Sequence, residues 1–233
     1  MPAPALLLVY SDPGSGVSEA EFTDWYDNEH VPLRLEIPAF TSWARWKAAD
    51  GRKPAWAASY DLTSHEATLQ PPYSTLAETR SEREKRVLRD IGVLERCTYE
   101  AIETKLPPPT ALFNPKKPPR FAVFVSIDVQ PGGEEILAKW YDEVHVPMLS
   151  KLAGWVRSRR FVLKDWTRTG VEAQVYQEPP SKYLQVHEME SLDALTDAEQ
   201  RNLWDSPLKT ELDKMVTRRD HRVFEYYRHW EKN

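Results

Sequence analysis

The sequence predicts an α+β protein made of two tandem ferredoxin-like units, each running β-α-β-β-α-β, packed sheet to sheet as an intramolecular α+β barrel. Three observations carry this. One stretch occurs twice, 115 residues apart: Trp25-Tyr26-Asp27-Asn28-Glu29-His30-Val31-Pro32 and Trp140-Tyr141-Asp142-Glu143-Val144-His145-Val146-Pro147. At that offset residues 5–46 align with 120–161 without a gap, and Ser11/Ser126, Glu19/Glu134 and Arg45/Arg160 match as well. Six prolines fall within residues 106–120, the composition of a stiff, extended connector. A period this long marks a duplicated domain rather than a solenoid, so the units are 1–105 and 121–233 with the linker 106–120 between them. A four-stranded sheet covered by helices on one side leaves its other face bare, and two such sheets can bury those faces against each other.

Each element follows from a local pattern. Ala5 to Ser11 is a short apolar run closed by Asp12-Pro13-Gly14, which reads as a buried strand and a turn. Ser18 with Glu21 is a capping box, so a helix starts there. Phe22, Trp25, Tyr26, Glu29 and Leu33 recur at spacings of three and four, which puts them on one inward face. Pro32 kinks or ends that helix. Phe40 to Ala48 and Trp56 to Leu62 are strands separated by Asp50-Gly51. A second helix lies within 65–91, starting near Tyr73, and Leu94 to Thr104 is the fourth strand. The second unit repeats the order: strand 121–128, helix 133–152, strands 155–163 and 183–190, helix 192–216 interrupted at Pro207, and strand 221–230. The insertion from Lys164 to Ser181 has no obvious structure and is a candidate lid.

Composition excludes several classes. The net charge of -5 argues against a nucleic-acid partner. The single Cys97 permits no internal disulfide and suits a reducing compartment. The apolar run at 5–10 is too short to span a membrane and lacks the layout of a signal peptide, so a cytoplasmic protein is expected. No metal-ligand spacing, phosphate loop, nucleophile elbow or dinucleotide fingerprint is present, and no cofactor is expected. Nine tryptophans point to rings lining a core, an interface or a ligand cavity.

His30 and His145 are the first candidates for chemistry, because imidazole titrates near neutrality and can both take and return a proton. Each follows a tyrosine by four residues, Tyr26 or Tyr141, so ring and phenol project from one side of a helix. The alternative is structural: His and Tyr tie a kinked helix to the sheet. Glu29 stands where the second copy has Val144; facing an apolar cavity it would be a base with raised pKa, and on the helix flank it would pair with Arg34 or Lys47. Asp27 and Asp142 read as exposed or capping groups. His187, aligned with Tyr60, is a polar lining group, and its neighbour Glu188 faces the other side of the sheet. Trp25, Trp140 and Phe22 complete the expected substrate-binding set.

The pattern W-Y-x-x-x-H-x-P on the first helix after a first strand resembles the EthD-like members of the dimeric α+β-barrel superfamily, over nearly the whole chain as two tandem copies. That resemblance implies a cofactor-independent acid/base enzyme of cyclase, dehydratase or isomerase type. Its substrate would be a small, hydrophobic, polyketide-like carbonyl or phenolic compound of secondary metabolism. His30 and His145 would move the proton, Tyr26 and Tyr141 would orient a carbonyl, and Glu29 would distinguish the two cavities. Two other readings stay open: a non-catalytic small-molecule binding or stress-associated protein, and a haem-dependent oxidoreductase similar to the chlorite-dismutase branch. The fused pair could also assemble as a homodimer.

Overall fold

The computed structural model describes residues 2–196 and 205–232. The chain forms two compact units, and neither is a contiguous half: one comprises Met1–Ala101, Leu163–Pro180 and Tyr227–Asn233, the other Ile102–Val162 and Ser181–Tyr226. The division expected at the proline-rich linker therefore gives way to one set by the strands. Two strands, β6 (Trp155–Thr169) and β8 (Val216–Trp230), run for 15 residues each, and their far ends count with the first unit. Residues 106–120 count with the second unit, where the Thr110 hydroxyl donates to the Trp155 carbonyl at 3.1 Å and the Thr110 N–H to that of Val156 at 2.9 Å.

In the first unit β1 (Ala5–Asp12) lies between β3 (Trp56–Leu62) and β4 (Val93–Ala101), and β2 (Trp43–Ala48) pairs with β3, all antiparallel, in the order β2-β3-β1-β4. The second unit has the same order: β8 beside β5 (Phe121–Val129), then β7 (Tyr183–Met189), then β6. The central strands β1 and β5 are near-continuous apolar runs because they are paired on both edges and covered on a face.

Ser18 caps α1 (Glu19–Trp25) by accepting from the Glu21 N–H at 3.2 Å. The helix then widens into a π turn over Tyr26–His30, in which the Val31 N–H reaches the Tyr26 carbonyl at 3.0 Å, and resumes as α2 (Pro32–Leu35). The second unit repeats this as α3 (Glu134–Trp140), a π turn over Tyr141–His145, and α4 (Val146–Leu149). The proline explains the widening. Pro32 and Pro147 have no N–H to hold an α-helical bond to the carbonyl four residues back, and the ring presses on that carbonyl, so the preceding turn opens.

Other expectations shift for local reasons. The helix expected to begin near Tyr73 is two 3₁₀ turns, His65–Thr68 and Leu76–Thr79, followed by a short helix Glu82–Asp90 capped by Ser81. Pro207 does not interrupt its helix but begins it, over Pro207–Met215 behind the Ser206 cap, since a first-turn residue needs no N–H. Of the helix expected over 192–216, residues 197–204 lie outside the described residues.

The insertion expected as a lid is instead pinned within the first unit. Its first residues prolong β6, and the Val171 and Glu172 N–H groups donate to the Ile91 and Gly92 carbonyls at 2.9 and 2.8 Å. Arg168 binds the Glu95 carboxylate and the Tyr176 carbonyl. Three backbones meet here at Gly14, Gly92 and Gly170: a Cβ on Gly92 would stand 2.7 Å from the Gly14 Cα, and one on Gly170 2.4 Å from the Gly92 oxygen. Gly92→Ala is expected to destabilise the protein by about 1–3 kcal/mol through overpacking, read as a lower urea midpoint.

Candidate functional site

The π turn decides which side chains face inward. Before it, Phe22, Trp25 and Tyr26 are buried as their spacing requires; after it the phase slips, so that Asp27, His30, Val31 and Arg34 are buried. Leu33, expected inside, is 41% exposed. Glu29 moves to the flank: its carboxylate accepts from the Ser81 hydroxyl and lies 4.0 Å from Arg83, rather than facing an apolar interior or pairing with Arg34 or Lys47. An i, i+3, i+4 pattern assumes constant pitch, and the wider turn breaks that assumption.

The two duplicated aspartates are neither exposed nor capping. Asp27 receives the buried Arg45 guanidinium on one oxygen and Arg228 at 3.1 Å on the other. Asp142 receives Arg160 at 3.0 Å. Each pair ties the helix to a strand of its own unit, and each arginine lies over the tyrosine of its motif, 4.4 Å from the Tyr26 ring centroid and 5.2 Å from that of Tyr141. A gapless alignment already matches Asp27/Asp142 and Arg45/Arg160, so this signal was present in the sequence.

In the first unit His30 Nδ1 lies 2.7 Å from Glu84 Oε1, with both side chains buried. Burial, reinforced by Arg34, Arg96, Arg80 and Arg45, holds the imidazole well below its usual pKa. Burial raises the Glu84 carboxyl, against the pull of Arg34 and Arg80. A neutral imidazole donating Nδ1–H to this carboxylate presents Nε2 as its basic atom. Around it stand Trp25 and Tyr26, ring centroids 4.5 and 4.9 Å from His30. The Tyr26 and Tyr60 phenols are near enough to perturb each other's ionisation, yet neither hydroxyl completes a well-aligned hydrogen bond, and the indole N–H groups of Trp25 and Trp43 are likewise unsatisfied. Burial pushes both phenols above their usual pKa. Glu84 was missed because the charged stretch from Glu78 to Arg89 reads as a solvated helix face; only the fold turns its carboxyl toward His30.

The second unit differs. His187 Nδ1 lies 2.8 Å from the Ser158 hydroxyl, which accepts from the Trp155 indole at 3.0 Å. An indole N–H can only donate, so Ser158 is the acceptor from Trp155 and uses its hydrogen or its second lone pair toward His187. His187 faces the helix, 5.3 Å from His145 and 6.3 Å from Tyr141 by ring centroid, while Glu188 points the other way and binds Arg157 at 2.7 Å and Arg159 at 3.0 Å. Trp140 stacks on His145 at 4.4 Å. Burial lowers the His187 pKa to about 3 and that of His145 well below normal, and pushes Tyr141 upward.

On the outer flank of α2 is an open groove of about 500 Å³ lined by Asn28, Glu29, Pro32, Leu33, Glu36, Ile37, Pro72 and Leu76. Among the described residues no group of three or more His, Cys, Asp or Glu is placed to hold a metal ion, and no helix is long and apolar enough to cross a membrane.

No family model and no curated protein sequence matches the chain. Solved structures do match along its length. An anthrone oxidase-like protein superposes with a TM-score of 0.59 at 11% identity, covering 100% of this chain and 96% of its own. A Fusobacterium nucleatum protein assigned as a monooxygenase gives 0.55 at 9%, covering 100% and 96%. One assigned as a chlorite dismutase gives 0.55 at 12%, covering 97% and 95%. At these identities the match shows a shared fold along the whole chain. Within this fold neither His30 nor His145 offers a haem a seat. A macrocycle needs an imidazole facing an open slot, but His30 and His145 are 7% and 9% exposed and packed against Trp and Tyr rings, and no histidine lines the groove.

Two consequences can be measured. Asp27→Ala leaves Arg45 buried without its carboxylate and is expected to cost about 3–5 kcal/mol, more than Asp142→Ala, whose carboxylate is partly solvated; denaturant titration reads both. His30, His145 and His187 have folded pKa values below the unfolded value of about 6.5, so the unfolded chain takes up protons first. Their contribution is complete above about pH 7 and is lost as pH falls through about 6 toward 4. Melting temperatures across that range should drop, with a shallower slope in His187→Gln.

Proposed function

We propose that the first unit is a cofactor-independent acid/base site acting on a small, hydrophobic carbonyl or phenolic compound, in a tandem-duplicated, EthD-like chain of two ferredoxin-like units. The observation that carries it is the buried contact of 2.7 Å between His30 and Glu84 beside the unsatisfied hydroxyls of Tyr26 and Tyr60. Glu84 holds the Nδ1 proton, so Nε2 removes a proton from the carbon next to the substrate carbonyl. The electron pair moves onto the carbonyl oxygen, where Tyr26 and Tyr60 donate hydrogen bonds to the forming enolate. The imidazolium then returns the proton at another atom, which completes an isomerisation, or at a leaving hydroxyl, which completes a dehydration. His30 and Tyr26 keep the roles expected from the sequence, Tyr60 moves from lining to the oxygen, and Glu84 is the positioning residue.

In the second unit His145 packs against His187, and a hydrogen-bond chain from Trp155 through Ser158 holds His187; this favours a structural role for His145, His187 and Tyr141. Glu29, at the groove rim, is a substrate-facing group only from outside the helix. The non-catalytic binding reading is favoured by the same deep burial of His30, and one experiment separates the two. With anthrone deuterated at its acidic CH2, chosen because one structural neighbour is an anthrone oxidase-like protein, the native protein should wash out the label. His30→Gln should lose about 10²–10⁴-fold of that rate, and Tyr26→Phe less. Binding without wash-out supports the carrier reading; unchanged wash-out in His30→Gln removes the acid/base proposal.

A further inference from the structure

The charges around the dyad are unbalanced. Arg34 is buried, its guanidinium donates to the His30 carbonyl, and its Cζ lies 5.7 Å from the centroid of the Tyr73 ring. Arg96 reaches the same ring from β4, with its Cζ at 5.4 Å and a hydrogen bond of 2.7 Å to the Tyr73 hydroxyl. Arg80, just ahead of the Ser81 cap, is close enough to bias both His30 and Glu84. Among the described residues none of these three arginines forms an ion pair, whereas Arg45, Arg83, Arg86, Arg157, Arg160 and Arg168 each have a carboxylate. The Glu84 carboxylate, which Arg34 and Arg80 bias, is committed to His30.

Two guanidiniums at one tyrosine, Arg34 buried and Arg96 half-buried, without carboxylates of their own form an anion receptor, because burying uncompensated positive charge is unfavourable unless a ligand supplies the counter-charge. The nearest other acids do not fill that role: Glu29 is bound to Ser81 and near Arg83, and Glu36 stands exposed on the groove rim. Tyr73 is buried against Phe40 between Arg34 and Arg96, and the next residue back, Pro72, lines the groove. We infer that the ligand of the first unit is an aromatic oxyanion, a ring bearing a carboxylate or phenolate, whose charged oxygen is taken by Arg34 and Arg96 while its body lies along the apolar groove beside Pro72. This deepens the acid/base reading by naming the substrate class, and it rests on that reading only for the position of the dyad.

The test is a binding titration, independent of turnover. Quenching of tryptophan fluorescence by 1-naphthoate is compared with quenching by the neutral 1-naphthalenemethanol. The native protein should prefer the carboxylate by about tenfold or more, the worth of a charged hydrogen bond, and added salt should erode that preference. Arg34→Gln and Arg96→Gln should each reduce it, and Arg34→Lys should restore part of it; a circular-dichroism melt checks that each variant is folded. Equal affinity for the two probes, or a preference unchanged in both folded Gln variants, overturns the inference. If only Arg34→Gln fails to fold, Arg96→Gln and Arg34→Lys still decide. A carboxylate preference with no deuterium wash-out from anthrone would sustain this inference and sink the acid/base proposal; wash-out with no preference would do the reverse.

Discussion

The carboxylate–guanidinium pair between helix and sheet, Asp27 with Arg45 and Asp142 with Arg160, is the constraint on which each unit depends. Neither charge can be left alone in the interior, so the helix has one admissible rotation and one height above its sheet. The arginine then covers the adjacent tyrosine ring, and that tyrosine in turn packs against the histidine four residues on. A polar contact thereby sets the geometry of an aromatic cluster that hydrophobic burial alone would leave free to slide.

The π turn converts this anchoring into a site. Had the helix kept its pitch, Glu29 and Leu33 would face the sheet; with the turn opened ahead of Pro32, Asp27, His30 and Arg34 do. The two copies share the distortion but diverge in what meets the imidazole: Glu84 in the first unit, and His187 with its Ser158 relay in the second. A carboxylate gives a neutral imidazole a defined basic nitrogen, while a second imidazole held neutral by burial gives it none of that charge support. The same scaffold thus holds one histidine against a carboxylate and one against a second imidazole.

The glycine junction shows how the 164–181 insertion is secured. Gly14, Gly92 and Gly170 let three backbones approach more closely than any Cβ allows, and the Val171 and Glu172 N–H groups complete the contact. A segment with the composition of a mobile loop is therefore part of the first unit's framework.

Much of this was legible in the chain itself. The strand runs, the Ser18 cap and the repeated Trp-Tyr-Asp-x-x-His-Val-Pro stretch are local properties, set by hydrophobic period, capping chemistry and residue type, and they carried the element order. Long-range pairing is not a local property. That His30 meets Glu84 across 54 residues, that Arg228 reaches Asp27 across 201, and that the ends of β6 and β8 count with the first unit were decided by tertiary structure. The physical reason is that a buried charge takes whichever partner the packed backbone brings within reach, and sequence spacing says nothing about that distance.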